Sequence, residues 1–238
     1  MVFTIDTLLF QVLPYVPVAL FIIEAIRRYR QRPFSYSSLS SQFLEGDRLF
    51  IGSVPWHYGI LFVLGGHLFA FLFPRELIAF GSVPWRLLIL EVTALIGGLV
   101  SLIGLVELTI RRLTRDRIRA VTNVMDLVVL GVLLTQVGLG VYIALTMRWG
   151  SMWFATIMAP YLKSVVLLQP NVDLVSVLPW VIKLHIVGAY VFLAILPYSR
   201  LVHMLVWPVH YLFRRPQVVI WNAEPGSLRS TGEPERGG

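Results

Sequence analysis

Five long apolar stretches dominate this chain of 238 residues and limit what it can fold into. A helix rises about 1.5 Å per residue, so about 20 apolar residues cross the roughly 30 Å hydrocarbon core of a bilayer. The mean hydropathy is +0.76, and only 14% of the residues are charged, too few to cover a soluble protein of this size. We therefore predict an all-α integral membrane protein with five transmembrane helices, near residues 3–26, 51–73, 87–110, 124–147 and 180–207.

The basic residues between these stretches predict the orientation of the chain. Fourteen arginines lie in residues 27–50, 111–123 and 208–238, whereas the connections on the other side carry four basic residues. Cytoplasmic loops are enriched in Lys and Arg, so we expect the N-terminus outside and the C-terminus in the cytoplasm. The net charge of +7 is explained by this asymmetry, and no nucleic-acid-binding motif accompanies it.

Two domains follow from this pattern. Residues 1–215 form the predicted five-span domain, and residues 216–238 form a cytoplasmic tail rich in Gly, Pro, Ser and charge. Such a composition buries too little apolar surface to order a chain without a partner. Residues 151–168 are apolar, but Pro160 and Lys163 interrupt them, so we predict a short interfacial or re-entrant helix there. In the first span, Pro14 and Pro17 predict a kink.

Four of the five histidines lie inside two of the predicted spans: His57 and His67 in the second, His185 and His203 in the fifth. Ionisable residues at membrane depth are costly and usually functional. Antiparallel helices would pair His57 with His203 near the cytoplasmic face, and His67 with His185 near the outer face. Each pair offers two imidazoles from opposite sides of a plane, as a six-coordinate bis-His haem requires. We therefore predict two b haems held within the bundle.

The spacing of these histidines does not match in straight helices. Ten residues between His57 and His67 rise about 15 Å, and the eighteen between His185 and His203 rise about 27 Å. A tilt of the helices or a kink at Pro197 would absorb part of the difference. In a continuous helix, His185 and His203 would share one face.

Residues around the histidines suggest how a flat, anionic ligand would be held. Glycines near them would let a macrocycle lie against the helices, although close helix packing explains such glycines equally well. Arg200 is our first candidate for pairing with a haem propionate, because it lies inside an apolar span and needs an anion. Arg111 and Arg112 are further candidates or, alternatively, topology-fixing anchors. The glycines are Gly59, Gly65, Gly66 and Gly188.

Other polar residues within or beside the spans have two possible roles. Four carboxylates near or within the spans would either move protons or pair with arginines at the membrane interface. His210 follows Trp207 and Pro208 beyond the last span, and we expect it to be exposed or interfacial. The absence of cysteine excludes an iron–sulfur cluster held by Cys of this chain and covalent haem attachment through Cys-x-x-Cys-His. The carboxylates are Glu24, Glu91, Glu107 and Asp126.

Three segments resemble the gamma, or cytochrome b, subunit of respiratory nitrate reductase. VPWHYGILFVLGGHLFAF at 54–71 and KLHIVGAYVFLAILPYSRLVHMLVWP at 183–208 resemble its two haem-ligand helices. RRLTRDRIRAVTNVMD at 111–126 resembles its loop between the third and fourth spans, and SSQFLE at 40–45 is also similar. The resemblance covers most of residues 10–215, and the paired His spacings of ten and eighteen are its most specific part.

The resemblance implies a function. It implies a prokaryotic cell membrane, oxidation of quinol (menaquinol or ubiquinol) beside the outer haem, and electron transfer to a cytoplasmic iron–sulfur beta subunit and molybdenum alpha subunit. It places Gly66 and His67 at the quinol site. Arg86 stands where the family has a lysine that contributes to this quinol site; alternatively, Arg86 only anchors the outer face. An arginine keeps a cationic donor, but it cannot give up its proton.

Three alternatives remain at this point. A related two-haem subunit of a sulfur or heterodisulfide redox complex would share the fold and the haem ligands. A transporter that uses histidines as a proton relay would need inverted repeats and broken helices, and we see no repeat in the sequence. A passive membrane anchor would not need four histidines at membrane depth.

Overall fold

The computed structural model describes residues 4–31 and 49–201, and these residues form helices and their connections without any strand. Five helical stretches within them are long and apolar enough to cross a membrane, which confirms the five-span prediction. Residues 1–3, 32–48 and 202–238 lie outside the described part. The predictions for His203, His210, the SSQFLE segment and the tail fall on them. The five stretches are Ile5–Arg28, Gly52–Leu72, Pro84–Thr114, Val124–Thr146 and Trp180–Tyr198.

The first span is irregular where its sequence contains proline. It begins with α1 (Ile5–Thr7), continues as a π-helical turn over Leu8–Val12, and resumes as α2 (Tyr15–Gln31). The helix is interrupted at Leu13 and Pro14, as predicted from Pro14. Pro17 lies in the first turn of α2, where the backbone N–H groups have no partner within the helix and a missing N–H costs little.

The middle of the chain contains three long helices separated by two short ones. The second span is α3 (Leu49–Leu72), and α4 (Pro74–Gly81) follows it as a short helix that the sequence pattern did not predict. The third span is α5 (Pro84–Thr114), longer at both ends than predicted, and α6 (Asp116–Arg119) lies in the arginine-rich loop. The fourth span, α7 (Val124–Thr146), begins with a capping box made by Asn123 and Asp126.

The long fourth connection forms a helix that is too short to span. It consists of α8 (Gly150–Trp153), a π-helical turn over Phe154–Met158, and α9 (Ala159–Val166). It is followed by α10 (Asp173–Ser176). The helix is not among the five that could cross a membrane, which agrees with the predicted interfacial or re-entrant segment. A π-helical turn inserts one extra residue into the helical repeat, and such turns are frequent at functional sites.

The fifth span is not one continuous helix. It begins as α11 (Trp180–Ile195), tightens into a 3-10 turn over Leu196–Tyr198, and becomes extended at Ser199. Pro197 has no N–H to donate to the preceding turn, and its ring crowds the carbonyl four residues earlier. The prediction of a kink at Pro197 is supported. His203 lies outside the described residues, so the expectation that it shares one helical face with His185 stays a prediction.

The spans pack in the order α2, α11, α7, α5, α3 around the bundle. The closest packing joins α3 to α5, where Gly59 and Gly104 remove the side chains that would keep the two backbones apart. A Cβ on Gly59 would lie 2.5 Å from the backbone nitrogen of Ser101. Small residues at such crossings are typical of membrane helices. In the described part, α3 and α11 are not among the helix pairs that pack extensively on each other.

Polar contacts define the two ends of the bundle. At one end, which we call the arginine-rich end, Arg28 and Arg112 join α2, α5, α7 and the break in the fifth span. At the other end, which we call the opposite end, Lys183 pairs with Asp6 at 2.7 Å between Nζ and Oδ2. Between the ends, large apolar side chains such as Leu61 and Ile103 are exposed, as expected for a surface in contact with lipid.

Candidate functional site

The two histidines of α3 are oriented by the same hydrogen bond, from the imidazole to the backbone carbonyl four residues earlier. Nδ1 of His57 lies 2.7 Å from the carbonyl oxygen of Ser53, and Nδ1 of His67 lies 2.8 Å from that of Val63. A carbonyl oxygen only accepts, so Nδ1 carries the proton and donates it in both rings. The unprotonated Nε2 of each imidazole is then available to coordinate a metal. A backbone carbonyl bonded to Nδ1–H is also the usual second partner of a metal-binding histidine.

His185 of α11 has a different environment. Nε2 of the Gln136 amide, on α7, donates to the carbonyl oxygen of His185 at 3.0 Å and approaches Nε2 of the imidazole at 3.4 Å. Among the described residues, Nδ1 of His185 and Oε1 of Gln136 are both buried without a hydrogen-bond partner. Buried polar atoms normally have a partner, so an unpaired donor and an unpaired acceptor at one crossing require an explanation.

His67 and His185 lie at the same end of the bundle. His67 is near the end of α3, His185 is near the start of the antiparallel α11, and both positions belong to the opposite end. The ring of Phe154, in the π-helical turn, meets the His67 ring edge-on at 5.2 Å between centroids. The described structure thus places the two side chains predicted to hold the outer haem at the same end of the bundle.

The glycines singled out in the sequence divide into two groups. A Cβ on Gly65 or Gly66 would meet no atom within 4 Å, so these positions leave open space beside His67. Gly59 and Gly188 differ, because the space that a side chain would occupy is taken by the α5 backbone at Gly59 and by Gln136 at Gly188. The expectation that these two glycines make room for a flat ligand is therefore not supported by their surroundings. Gly140 of α7 faces the His185 ring, with 3.2 Å from its Cβ position to Cε1.

Two of the three arginines predicted to bind propionates contact a single carboxylate. Oδ2 of Asp126 accepts from Arg112 at 2.9 Å, and Oδ1 lies 3.4 Å from Nε of Arg200. Arg200 also donates to the carbonyl oxygen of Val121 at 2.9 Å. Arg111 is buried in α5. The anion that Arg200 needs is thus supplied by Asp126, while a role for any of the three arginines at a propionate stays a prediction.

The other predicted polar residues are spread over both ends. Glu24 pairs with Arg27 of its own helix. Glu91 instead accepts hydrogen bonds from the backbone N–H and the hydroxyl of Ser151, at 2.9 and 2.5 Å. Glu91 thereby fixes the start of the helix that carries Phe154. The pairing of carboxylates with arginines therefore holds for Glu24 and Asp126, and not for Glu91.

Arg86 lies at the opposite end, at the start of α5. Its guanidinium is 5.4 Å from the centroid of the Trp85 ring and 5.8 Å from that of Phe80. Stacking on aromatic rings holds a guanidinium in place while leaving its N–H edge able to donate. The position agrees with the side of the membrane predicted for Arg86.

The donor set fits a haem better than a bare metal ion. In the described ranges, no group of three or more His, Cys, Asp or Glu side chains is arranged to hold a metal ion. A haem needs only two axial imidazoles, since the porphyrin supplies the other four nitrogens. The available Nε2 atoms of His57 and His67, the open space at Gly65 and Gly66, and the orphaned atoms at His185 are each compatible with such a group.

Comparison with known proteins identifies the family. The sequence profile of the nitrate reductase gamma subunit matches residues 6–222. The nitrate reductase gamma chain of Bacillus subtilis is 32% identical over 210 residues, which cover 87% of this chain and 94% of that protein. The chain belongs to the nitrate reductase gamma subunit family. The respiratory nitrate reductase 2 gamma chain of Escherichia coli is 29% identical over 90% of this chain and 96% of its own length.

A longer relative matches over part of its length only. The nitrate reductase-like protein NarX of Mycobacterium tuberculosis is 30% identical over 222 residues, which cover 91% of this chain and 34% of that protein. The resemblance seen in the sequence is thus confirmed at the level of the family. This gamma-family chain is a multi-pass membrane protein by its five apolar helices.

Two residues of the site in this gamma-family chain escaped the sequence analysis. Gln136 is a single amide within the apolar α7, and Phe154 is one of fourteen phenylalanines. A signal for Gln136 existed, because an uncharged polar side chain in the middle of an apolar span needs a partner. No signal in the sequence marks Phe154, since its contact with His67 depends on the π-helical turn.

Proposed function

We propose that this chain is the quinol-oxidising subunit of a respiratory nitrate reductase and holds two b haems. Each haem would be clamped by two imidazoles: His67 with His185 at the opposite end, and His57 with His203 at the arginine-rich end. When bound, haem b supplies one-electron transfer between two stable iron oxidation states. Two such groups at different depths would carry electrons across the membrane.

The observation that carries this proposal is the shared hydrogen bonding of His57 and His67. Both rings donate Nδ1–H to the carbonyl one helical turn earlier, and both keep Nε2 available. A histidine that only fills apolar space needs no such uniform tautomer. Two rings prepared in the same way, ten residues apart on one span, match the requirement for two axial ligands at two depths. The membership of the nitrate reductase gamma family supports the same reading.

Quinol would be oxidised at the opposite end, beside His67. Quinol gives up two electrons and two protons, so its site needs donors to hold its oxygens and a route for the protons. Arg86, held by Trp85 and Phe80, would donate a hydrogen bond to a quinol oxygen, and it cannot accept the proton. The open face at Gly66 would admit the quinone ring. The protons would leave on the side predicted to be external.

The arginine-rich end would meet the partner subunits. The loops there carry most of the positive charge and would face the cytoplasm. We propose that an iron–sulfur beta subunit docks at this end and takes electrons from the His57/His203 haem, and that the nitrate chemistry takes place in a molybdenum alpha subunit. Since this chain has no cysteine, its part in electron transfer would rest on haem.

The test is a redox spectrum of the complex purified from native membranes. We expect a b-type α-band and two haems per chain after pyridine-haemochrome analysis. A quinol analogue should reduce both haems in the wild type. His67→Ala and His185→Ala should each lose one haem and quinol oxidation, while the other haem remains reducible by dithionite.

A matched control separates ligand loss from general damage. His210→Ala changes the one histidine that we place outside the spans, and it should retain both haems and full activity. A wild-type complex without haem would contradict the proposal. Equal loss of both haems in His67→Ala and His185→Ala would contradict the assignment of separate sites.

A further inference from the structure

We propose that Gln136 is the positioning residue of His185, accepting its Nδ1–H through Oε1 when Nε2 binds iron. This inference rests on the proposed function and adds a residue from a third helix to the outer haem site. It starts from a difference among the three described histidines of the spans. His57 and His67 each have a carbonyl acceptor for Nδ1–H, whereas no described acceptor contacts Nδ1 of His185.

The missing acceptor lies next to the ring. Gln136 contacts His185 at two atoms, and its amide nitrogen is committed to the carbonyl oxygen of His185 at 3.0 Å. That bond fixes which end of the amide is the nitrogen, because a carbonyl cannot accept from Oε1. Oε1 of Gln136 is therefore a true acceptor, and it is buried without a partner among the described residues. His185 therefore has an unpaired donor, Nδ1–H, and the neighbouring Gln136 has an unpaired acceptor, Oε1.

A turn of the imidazole would pair these two atoms. The ring now directs Nε2 toward the Gln136 amide nitrogen at 3.4 Å, near the long limit of a hydrogen bond. Turning the ring away from this weak contact would release Nε2 for iron and bring Nδ1–H to Oε1. A buried hydrogen bond between them would remove two unsatisfied polar groups at once, each of which is costly to leave unpaired.

Glycines on both helices make this arrangement possible. Gly140 lies on α7 one turn after Gln136, and its lack of a side chain gives room to the His185 ring, 3.2 Å from the Cβ position. Gly188 lies on α11 three residues after His185, where a Cβ would collide with Oε1 of Gln136. Each helix therefore has a small residue where the polar side chain of the other helix enters.

The expected consequence is a defined change in the outer haem. An acceptor on Nδ1–H makes an imidazole a stronger electron donor, which favours ferric over ferrous iron and lowers the reduction potential. Gln136→Leu removes the acceptor and should raise the midpoint potential of the outer haem. Gln136→Glu supplies a stronger acceptor and should lower it. Gly188→Ala should displace Oε1 and shift the potential in the same direction as Gln136→Leu.

The experiment is a redox titration of the α-band in the purified complex. The outer haem is identified as the signal missing from His185→Ala. The neighbouring Thr135→Val is the control, because the Thr135 hydroxyl donates within its own helix to Gly131 at 2.9 Å. It should leave both potentials unchanged. The potential of the inner haem should stay constant in all variants.

The outcomes distinguish this inference from the proposed function. A wild-type complex without haem overturns the proposed function itself. Two haems in the wild type, with shifts of opposite sign in Gln136→Leu and Gln136→Glu, support the role of Gln136. Unchanged potentials, shifts of the same sign, or loss of the outer haem in both variants would overturn that role and leave Gln136 as a packing residue.

Discussion

His57 and His67 show how the backbone of a helix can fix the tautomer of an imidazole at membrane depth. The carbonyl oxygens of Ser53 and Val63 already accept from the helix, and each has a second lone pair for Nδ1–H of the histidine one turn later. No residue from another helix is needed for this bond, although not every histidine in a span makes it. His185 lacks the arrangement, which explains why it needs Gln136.

At the residue scale, glycines of α3 with the same appearance in the sequence have opposite surroundings. Gly59 is pressed against the α5 backbone, whereas Gly65 and Gly66 have open space. A sequence cannot separate these cases, because both give an apolar span with small residues. Only the crossing of α3 and α5 decides which of them packs a helix.

We predict that Gly59→Ala destabilises the protein. The new methyl carbon would lie 2.5 Å from the backbone nitrogen of Ser101, which cannot move aside as a side chain can. Overpacking of this kind costs about 1–3 kcal/mol. The thermal midpoint of the protein in detergent should therefore fall. Gly131→Ala is the matched control, because no atom lies within 4 Å of its Cβ position. It should leave the midpoint unchanged or raise it, as alanine favours the helix.

At the element scale, the break in the fifth span is held by α2. Nη1 of Arg28 donates to the carbonyl oxygens of Pro197 and Ser199, at 2.7 and 2.9 Å. The end of α11 leaves carbonyls without helical partners, and buried carbonyls require donors. Arg28 thus acts as a cap supplied by another helix, and it fixes the direction in which the chain leaves the break.

We predict that Arg28→Ala is much more harmful than Arg27→Ala. Arg28 joins two helices through charge-assisted hydrogen bonds, and such bonds contribute about 1.5–3 kcal/mol each. Arg27 is exposed and pairs with Glu24 within the same helix, and exposed ion pairs of this kind contribute little to stability. Thermal unfolding in detergent should show a large decrease for Arg28→Ala and a small one for Arg27→Ala. Equal decreases would contradict the capping role.

The inner haem provides a second readout of the same pair of variants. The proposed ligand His203 follows the break by a few residues, so a misdirected chain should lower the occupancy of the inner haem in Arg28→Ala. Arg27→Ala should keep both haems. Retention of full inner-haem absorbance in a stable Arg28→Ala protein would show that the break does not orient the ligand.

The sequence predicted regular features of these elements and missed irregular ones. The existence of five spans and the kink at Pro14 follow from hydropathy and proline, which act locally. The short α4, the π-helical turn at Phe154–Met158 and the role of Gln136 depend on contacts between distant residues. The expectation of one face for His185 and His203 continued an ideal helix through Pro197, where the described α-helix has already ended, and it stays a prediction because His203 lies outside the described residues.

At the scale of the whole molecule, the charge at the two ends has a functional meaning. Electron transfer from the quinol site to the electron exit would make the outside positive only if the arginine-rich end faces the cytoplasm. The ion pair between Lys183 and Asp6 adds no net charge to the opposite end, so the asymmetry between the ends rests on the arginines of the other end. Orientation is therefore the property on which energy conservation by this protein would depend.

Because the chain has no cysteine, single cysteines can report orientation without a background signal. We predict that a membrane-impermeant maleimide added to intact spheroplasts labels Gln169→Cys, at the opposite end, and leaves Ala120→Cys, at the arginine-rich end, unlabelled. Both positions are exposed in the structure, so each should react fully once detergent opens the membrane. Labelling of Ala120→Cys in intact spheroplasts, with Gln169→Cys protected, would reverse the topology. Quinol would then be oxidised on the cytoplasmic side, and electron transfer would separate charge in the opposite direction, which would dissipate energy.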